Sequence, residues 1–395
     1  MSTEDELARV VRDHAGRLAG SLVSLLGDFS AAEDLVQDAV EIALRRWPVE
    51  GIPDRPDAWL FTVAKRRGLD VLRRQQNYRA KLSELQRQDD HPAPDDRLRL
   101  IFTCCHPALA REAQVALTLR VVCGLTTGQI AAALLASESA VAQRITRAKR
   151  KITDAGIPYR IPRDDELSER LTEVLTVIYL LFNEGYLSST AERAHSRDLV
   201  DDAEWLTALL HGLLPNEPEV AGLLALIRLH RARTAARFTP SGELVLLEDQ
   251  DRTLWDHTAI SEATALLTRT AYRHHAPGAY QLQAAIAACH SEAPTWAETD
   301  WRQILVLYDM LLTLQPSPVT CLHRSVALSF VDGPEVALTE LDLLALDTYP
   351  LFHATRAQFL RELGRDAEAR VADKRAAELT ANPAQLDLLR ERLAR

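Results

Sequence analysis

Three groups of residues carry side chains whose types and spacing could do chemistry. Asp34 and Asp38 stand four apart with Gln37 and Glu41 beside them, which places four polar groups on one side of a helix. Paired carboxylates suit general acid–base catalysis, but these sit on an open face with no pocket partner in the surrounding sequence. A solvated or partner-binding acidic face is the better reading. Cys104, Cys105 and His106 offer metal-ligand atoms. Adjacent side chains on a helix diverge, however, and no second Cys or His pair stands at ligand spacing. A buried helix start before Pro107 is expected there instead. Glu248, Asp249, Asp251 and Asp256 surround Arg252 and Trp255. Their spacing lacks the Asp-x-Asp-x-Asp-Gly form of a calcium loop. We expect Glu248, Asp249, Asp251, Arg252 and Trp255 to form an interdomain contact, with charge-assisted bonds fixing orientation. A phosphate loop, a His-Glu-x-x-His pair and a nucleophile elbow are all missing from the sequence, so no enzyme, cofactor or metal is expected.

A different chemistry is written in residues 125–152, LTTGQIAAALLASESAVAQRITRAKRKI. The stretch parses as two short helices joined by a tight turn. Thr126 or Thr127 is placed to cap the first, Ser137 the second. In the second helix Val141, Ile145, Ala148 and Ile152 follow one another at spacings of four, three and four, a buried stripe. The opposite face carries Ser139, Gln143, Arg144, Arg147, Arg150 and Lys151. Gln and Arg bond base edges bidentately, and Lys and Arg neutralise phosphates, so this face suits a DNA major groove. A second basic surface lies in WLFTVAKRRGLDVLRRQQ, where Lys65, Arg66, Arg67, Arg73 and Arg74 stand beside Trp59 and Phe61. Cations interleaved with aromatics suit unpaired DNA, whose bases stack and whose phosphates need neutralising.

The elements that position these residues are helices. Nearly half of the 395 residues are hydrophobic, only 6% are aromatic, and alanine-, leucine- and arginine-rich runs at helical spacing dominate. Alternation of the strand type is confined to residues 243–248, so the fold class is all-α. Leu7, Val10, Val11, His14, Leu18, Leu22 and Leu25 read as the inward face of an N-terminal helix pair. Leu35, Ala39, Ile42 and Ala43 read as the core of the next helix, and Leu60, Val63, Ala64 and Val71 as that of the third. PVEGIPDRPDAW between them reads as a proline-rich loop, with Trp59 opening the third helix. Residues 79–98 concentrate Asp89, Asp90, Pro92, Pro94, Asp95 and Asp96, a linker composition. The five cysteines show no paired spacing, which suits a reduced compartment. No run of eighteen apolar residues exists, so no membrane span is expected. The net charge of −10 divides unevenly: residues 1–160 hold 24 basic against 21 acidic residues, the remainder 22 against 35. A mildly basic N-terminal part therefore precedes an acidic C-terminal part, which points to nucleic-acid contact at one end only.

AAEDLVQDAVEIAL, then RPDAWLFTVAKRRGLDVLRR, then the helix-turn-helix ending RITRAKRKI, resembles the extracytoplasmic-function (ECF) class of bacterial RNA polymerase sigma factors, in order and in spacing. The resemblance implies a region 2 at 1–78, an acidic linker at 79–98 and a region 4 at 99–157. It implies that Asp34, Leu35, Gln37 and Asp38 dock on the β′ clamp helices of core polymerase, with further contact to the β subunit. Trp59, Phe61, Lys65, Arg66, Arg67, Asp70, Arg73 and Arg74 fall where the family melts and reads the −10 element. Ser139, Gln143, Arg144, Arg147 and Arg150 fall where it reads the −35 element. The family's turn glycine is absent near Leu135. Residues 156–165, GIPYRIPRDD, mark a boundary, after which helices are expected at 198–213, 217–234, 258–275, 279–291, 299–314, 318–330, 334–346, 350–363 and 366–381. Residues 353–383, with their leucine–glycine turn and closing proline, resemble a tetratricopeptide repeat (TPR). The whole chain is similar to a sigma subgroup with a TPR-like C-terminal extension, here 165–395 and clearest at 300–395. That subgroup is often encoded beside small YCII-like (DGPF-motif) proteins, which implies such a partner. A cytoplasmic transcription initiation factor is the expected function. A helix-turn-helix regulator acting without polymerase is the alternative.

Overall fold

The computed structural model describes residues 7, 18–20, 22, 23, 26, 29–74, 96–123, 125–134, 136–188, 199–271, 276–380 and 382–394. The expectations on Val10, Val11, His14, Leu25 and most of the linker lie outside these residues. Among the described residues the chain is helical, with no strand. The alternation at 243–248 yields a single antiparallel bridge between Phe238 and Leu244, followed by a 3-10 turn at Leu247–Asp249. One bridge without a third strand has no sheet face to bury, so the pattern goes no further. The chain divides into two compact units, residues 1–184 with 196–202, and residues 185–195 with 203–395.

In the first unit, Leu7, Leu18 and Leu22 are buried as expected. Helix α1 (Phe29–Glu50) and α2 (Pro56–Arg74) pack against one another. Leu35, Ala39 and Ala43 are buried at their four-residue spacing, as are Leu60 and Ala64 opposite them. Ile42 and Val63 are half-buried, and the Val71 side chain lies outside the described residues. The loop between the two helices is shorter than expected. α1 runs through Pro48, which removes one ladder hydrogen bond in the last turn, where little helix remains to disrupt. Gly51 closes that end at φ +87°, its N–H donating to Trp47 O at 3.0 Å. α2 begins at Pro56 rather than Trp59, since proline in a first turn lacks only an N–H that has no helical partner. Trp47 and Trp59 meet edge to face at 5.6 Å and fill the corner.

Helices α3 (Asp96–Cys104), α4 (Arg111–Val121), α5 (Thr127–Ala133) and α6 (Glu138–Asp154) follow. Asp96 and Leu98, expected in the linker, already belong to α3. Cys104 and Cys105 end a helix rather than start one, and both are fully buried. Cys105 Sγ meets the Thr118 hydroxyl at 3.5 Å, and burial pushes its thiol up to about 12. An inert packing role follows. The boundary at 156–165 breaks the helix but not the packing. Gly156 takes φ +58° after α6, and α7 (Asp164–Ser188) then runs back over the same unit as far as Glu184. Arg170 donates to Phe102 O, and Arg111 pairs with Glu173 at 2.7 Å. Leu171, Val174, Leu175 and Ile178 are buried.

In the second unit, α8 (Leu199–Leu213, from Ala203 onward) and α9 (Pro218–Arg231) lead to α10 (His257–Ala271) and α11 (Ala279–Glu292). α9 is the most deeply set, with Val220 through Ile227 all buried. It approaches α11 so closely that a Cβ on Gly222 would lie 2.7 Å from the Gln281 backbone nitrogen. Glu219 caps α11, accepting from the Tyr280 and Gln281 backbone N–H groups at 3.0 Å each. Six helices complete the unit: α12 (Trp301–Leu314), α13 (Pro318–Asp332), α14 (Pro334–Leu341), α15 (Pro350–Glu362), α16 (Asp366–Leu379) and α17 (Pro383–Ala394). Each packs mainly on its neighbours in sequence. Their starts agree with the expected stretches, and α17 is an addition to them. Gly364, at φ +72°, makes the leucine–glycine turn between α15 and α16.

The close approach at Gly222 makes a direct prediction. Gly222→Ala should lower stability by roughly 1–3 kcal/mol through overpacking. Gly212→Ala, where a Cβ meets nothing within 4 Å, should be neutral or mildly stabilising in the helix interior. Urea unfolding of the two variants beside the parent checks both.

Candidate nucleic-acid interface

The helix-turn-helix forms as its sequence dictates. Thr126 is the N-cap of α5, and its hydroxyl accepts from the Gln129 N–H at 3.2 Å. Gln129 returns the bond, its side chain accepting from the Thr126 N–H at 2.8 Å, which completes a capping box. Ser137 caps α6, accepting from the Ala140 N–H at 3.2 Å. Between them Leu134 ends α5 at φ −95°, ψ 10°, and the Ala136 N–H donates to Ala131 O at 2.9 Å. Leu134 therefore needs no left-handed backbone. Leu135, where the family's glycine is missing, lies outside the described residues.

On α6 the buried residues are Val141, Ile145, Ala148 and Ile152, the stripe read from the sequence. Ser139, Gln143, Arg147, Arg150 and Lys151 are exposed, and Arg144 is half-exposed. Arg150 pairs with Asp154 at 3.2 Å, both well exposed, so water and salt screen the pair. α6 thus presents one unbroken row of hydroxyl, amide and guanidinium groups. Such a row is able to bond base edges and phosphate oxygens.

α2 carries the second basic surface. Lys65, Arg66, Arg67 and Asp70 are exposed, and Trp59 and Phe61 are half-buried. The Lys65 ammonium stands 5.7 Å from the Phe61 ring centre. The side chains of Arg73 and Arg74 lie outside the described residues. Asp34, Gln37 and Asp38 lie on the open side of α1, but Leu35 does not. Leu35 is 6% exposed and belongs to the packed stripe with Ala39 and Ala43, so it holds the helix in place. One contact had no sequence signal: Arg67 of α2 pairs with Asp38 of α1, 29 positions apart. The pair ties the acidic face to the basic one, and both partners stay near half exposed.

The third candidate group is built within the second unit. Asp251 caps a short turn, accepting from the Thr253 N–H at 2.9 Å. Arg252 donates to the His290 and Ala293 carbonyls at 2.7 Å each, and Trp255 is buried beneath it. Glu248 and Asp249 are exposed, and the charge of Arg392 acts on Glu248. All of these partners lie in the second unit. Among the described residues no group of His, Cys, Asp and Glu forms a metal cage. No helix there is long and apolar enough to cross a membrane.

Comparison with known proteins agrees with this geometry. Residues 10–78 match sigma-70 region 2, and residues 99–152 match sigma-70 region 4. Residues 170–271 match a family of unknown function, DUF6596. An uncharacterized protein of Rhizobium meliloti is 44% identical over 389 residues, spanning 95% of this chain and 92% of the relative. The probable ECF RNA polymerase sigma factor SigI of Mycobacterium tuberculosis is 29% identical over 169 residues, 40% of this chain and 58% of SigI. No solved structure matches the chain. The two matched sigma regions carry α1–α2 and the helix-turn-helix, and the third match lies beyond them. The chain belongs to the ECF class of RNA polymerase sigma factors, and it carries a C-terminal extension that includes the DUF6596 family.

Proposed function

We propose that the chain directs core RNA polymerase to promoters and opens the DNA there by binding energy alone. Residues 1–78 dock on core polymerase and take up the −10 element, 79–98 connect, and 99–157 read the −35 element. Residues 165–395 modulate the activity. The observation that carries this reading is the two-faced α6, buried along Val141, Ile145, Ala148 and Ile152 and polar along Ser139, Gln143, Arg147 and Arg150. In this account Gln143, Arg144 and Arg147 meet base edges, while Ser139 and Arg150 hold phosphates. On α2, Lys65, Arg66, Arg67, Arg73 and Arg74 neutralise the backbone of the opened strands. Trp59 and Phe61 stack on unpaired bases, and Asp70 lies on the same helix face of the −10 reader. Asp34, Gln37 and Asp38 meet the β′ clamp helices, and the β subunit completes the docking surface. The site of action is the cytoplasm, where the polymerase is. A YCII-like (DGPF-motif) partner is supported by resemblance alone.

The regulator that works without polymerase is the weaker reading, because it leaves the exposed acidic face of α1 without a use. Two measurements separate the readings. Asp34→Ala with Asp38→Ala should weaken binding to purified core polymerase by about tenfold or more, the loss of roughly 1.4 kcal/mol. Helical content should not change, because both side chains are on the open face. Unaltered core binding contradicts the docking assignment. Gln143→Ala and Arg147→Ala should each cost roughly 1–3 kcal/mol in promoter binding by the holoenzyme, with relaxed preference at one base position. Core binding should stay intact. A uniform loss on all DNA sequences would instead make these residues phosphate holders.

A further inference from the structure

The second unit contains a buried cationic cluster that the sigma reading does not use. After α9 the chain runs RARTAAR, and Arg233 and Arg237 turn inward, 5% and 9% exposed. Arg237 Nη1 donates to Tyr186 O at 3.0 Å, and its guanidinium lies 3.6 Å from the Tyr186 ring centre. Arg233 Nη2 donates to His230 Nδ1 at 2.9 Å. Two guanidinium groups reach the ring of Trp255, Arg252 at 4.4 Å and Arg233 at 5.9 Å from its centre. His290 completes the cluster, stacked on Trp296 at 5.8 Å. Burial, with the charges of Arg233 and Arg252, holds His290 down to about 3, as a neutral ring.

A buried guanidinium without a counter-ion is costly, and proteins ordinarily pair it. The preceding helix, α9, shows the ordinary solution. Arg228 meets Glu204 at 3.0 Å, and Arg231 meets the same carboxylate. None of the ion pairs among the described residues reaches Arg233 or Arg252. Nε and Nη1 of Arg233, Nη2 of Arg252, Nδ1 of His290 and Nε1 of Trp255 are all buried without a hydrogen-bond partner. Cation–π contact with Trp255 offsets part of the cost, but it leaves these in-plane N–H groups unused. Several unsatisfied donors in one place, on two arginines, match an acceptor that brings its own charge.

We propose that Arg233 and Arg252, with His290 beside them, form a binding site for a small phosphate-type dianion. Two fixed positive charges balance a dianion, and forked N–H groups match the oxygens of a phosphoryl group. Trp296, stacked on His290, also lines a cavity of about 260 Å³ with Leu246, Glu248, Phe330 and Gln358, so the aromatic edge of the cluster borders open space. The site is independent of promoter recognition, and it gives the extension a ligand of its own.

The test uses the full-length protein near neutral pH, with inorganic phosphate and phenyl phosphate as probes. Malonate and chloride at matched ionic strength are the comparisons. Both phosphate probes should raise the thermal unfolding midpoint in a saturable way, with phenyl phosphate saturating at the lower concentration. Arg252→Gln and Arg233→Gln should each weaken the response by roughly tenfold or more, whereas Arg228→Gln, whose partner is Glu204, should keep it. Should Arg233→Gln not fold, Arg252→Gln decides alone, because its guanidinium is more exposed. A midpoint that follows ionic strength equally in phosphate and chloride would overturn the proposal. So would a wild-type response in Arg252→Gln, which would leave the cluster an arginine–aromatic packing core. Malonate matching or exceeding phosphate would overturn the phosphoryl assignment.

Discussion

The burial of Val141, Ile145, Ala148 and Ile152 against α4 and α5 is the constraint on which the proposed promoter-reading surface depends. Burying each of the two isoleucines and the valine contributes roughly 1.5–3 kcal/mol, enough to fix the rotation of α6 about its axis. With that rotation fixed, Ser139, Gln143, Arg147 and Arg150 face outward together, and turning the helix by one residue, about 100°, would carry part of that row toward the core. The caps at Thr126 and Ser137 fix where the two helices begin, and so the length of the turn. Position along the helix comes from hydrogen bonds, and orientation comes from apolar area. The DNA-facing chemistry is the remainder left over when both are satisfied. On α1 and α2 the same logic holds, where the packed stripe of Leu35, Ala39, Ala43, Leu60 and Ala64 turns the acidic and basic residues outward.

What was legible in the sequence was what is local. Spacings of three and four gave the α6 stripe, and hydroxyls before apolar runs gave its caps. The starts of the expected helices in the second unit were legible where proline or a capping residue stands at them, whereas α17, which also opens on a proline, was missed. Contacts between distant residues were not. Nothing within a helical period announces that Arg67 reaches Asp38, or that Arg252 and Arg233 share the ring of Trp255. Proline misled twice for one reason. Pro48 and Pro56 read as loop residues, yet one sits where a helix is ending and the other where one begins, and both positions tolerate the missing N–H. The glycine and prolines at 156–162 did mark a break, but a helix break is not a packing break. α7 returns its apolar face to the first unit through Leu171, Val174 and Ile178.

The extension has its own internal economy of charge. Exposed or half-exposed arginines in it meet carboxylates: Arg324 with Asp309 and Glu340, Arg356 with Asp342, Arg361 with the buried Asp373. These bonds tie successive helices of the array together. Arg233 and Arg252 stand apart from that pattern. They are held by backbone carbonyls, a histidine, the Tyr186 side chain and an aromatic ring, groups that orient a guanidinium without a carboxylate to neutralise it. Most arginines of the array meet a carboxylate, and these two meet only neutral groups, which is the arrangement the proposed anion site rests on.

The central claim is that the chain selects promoters only as a subunit of polymerase. Transcription reconstituted from purified core polymerase, the full-length protein and a pool of genomic promoter fragments tests it most directly. The account predicts transcripts from a small, shared-sequence subset of fragments, dependent on both core and this protein. Selective binding of the same fragments by the protein alone, with no selective transcript when core is added, would contradict it.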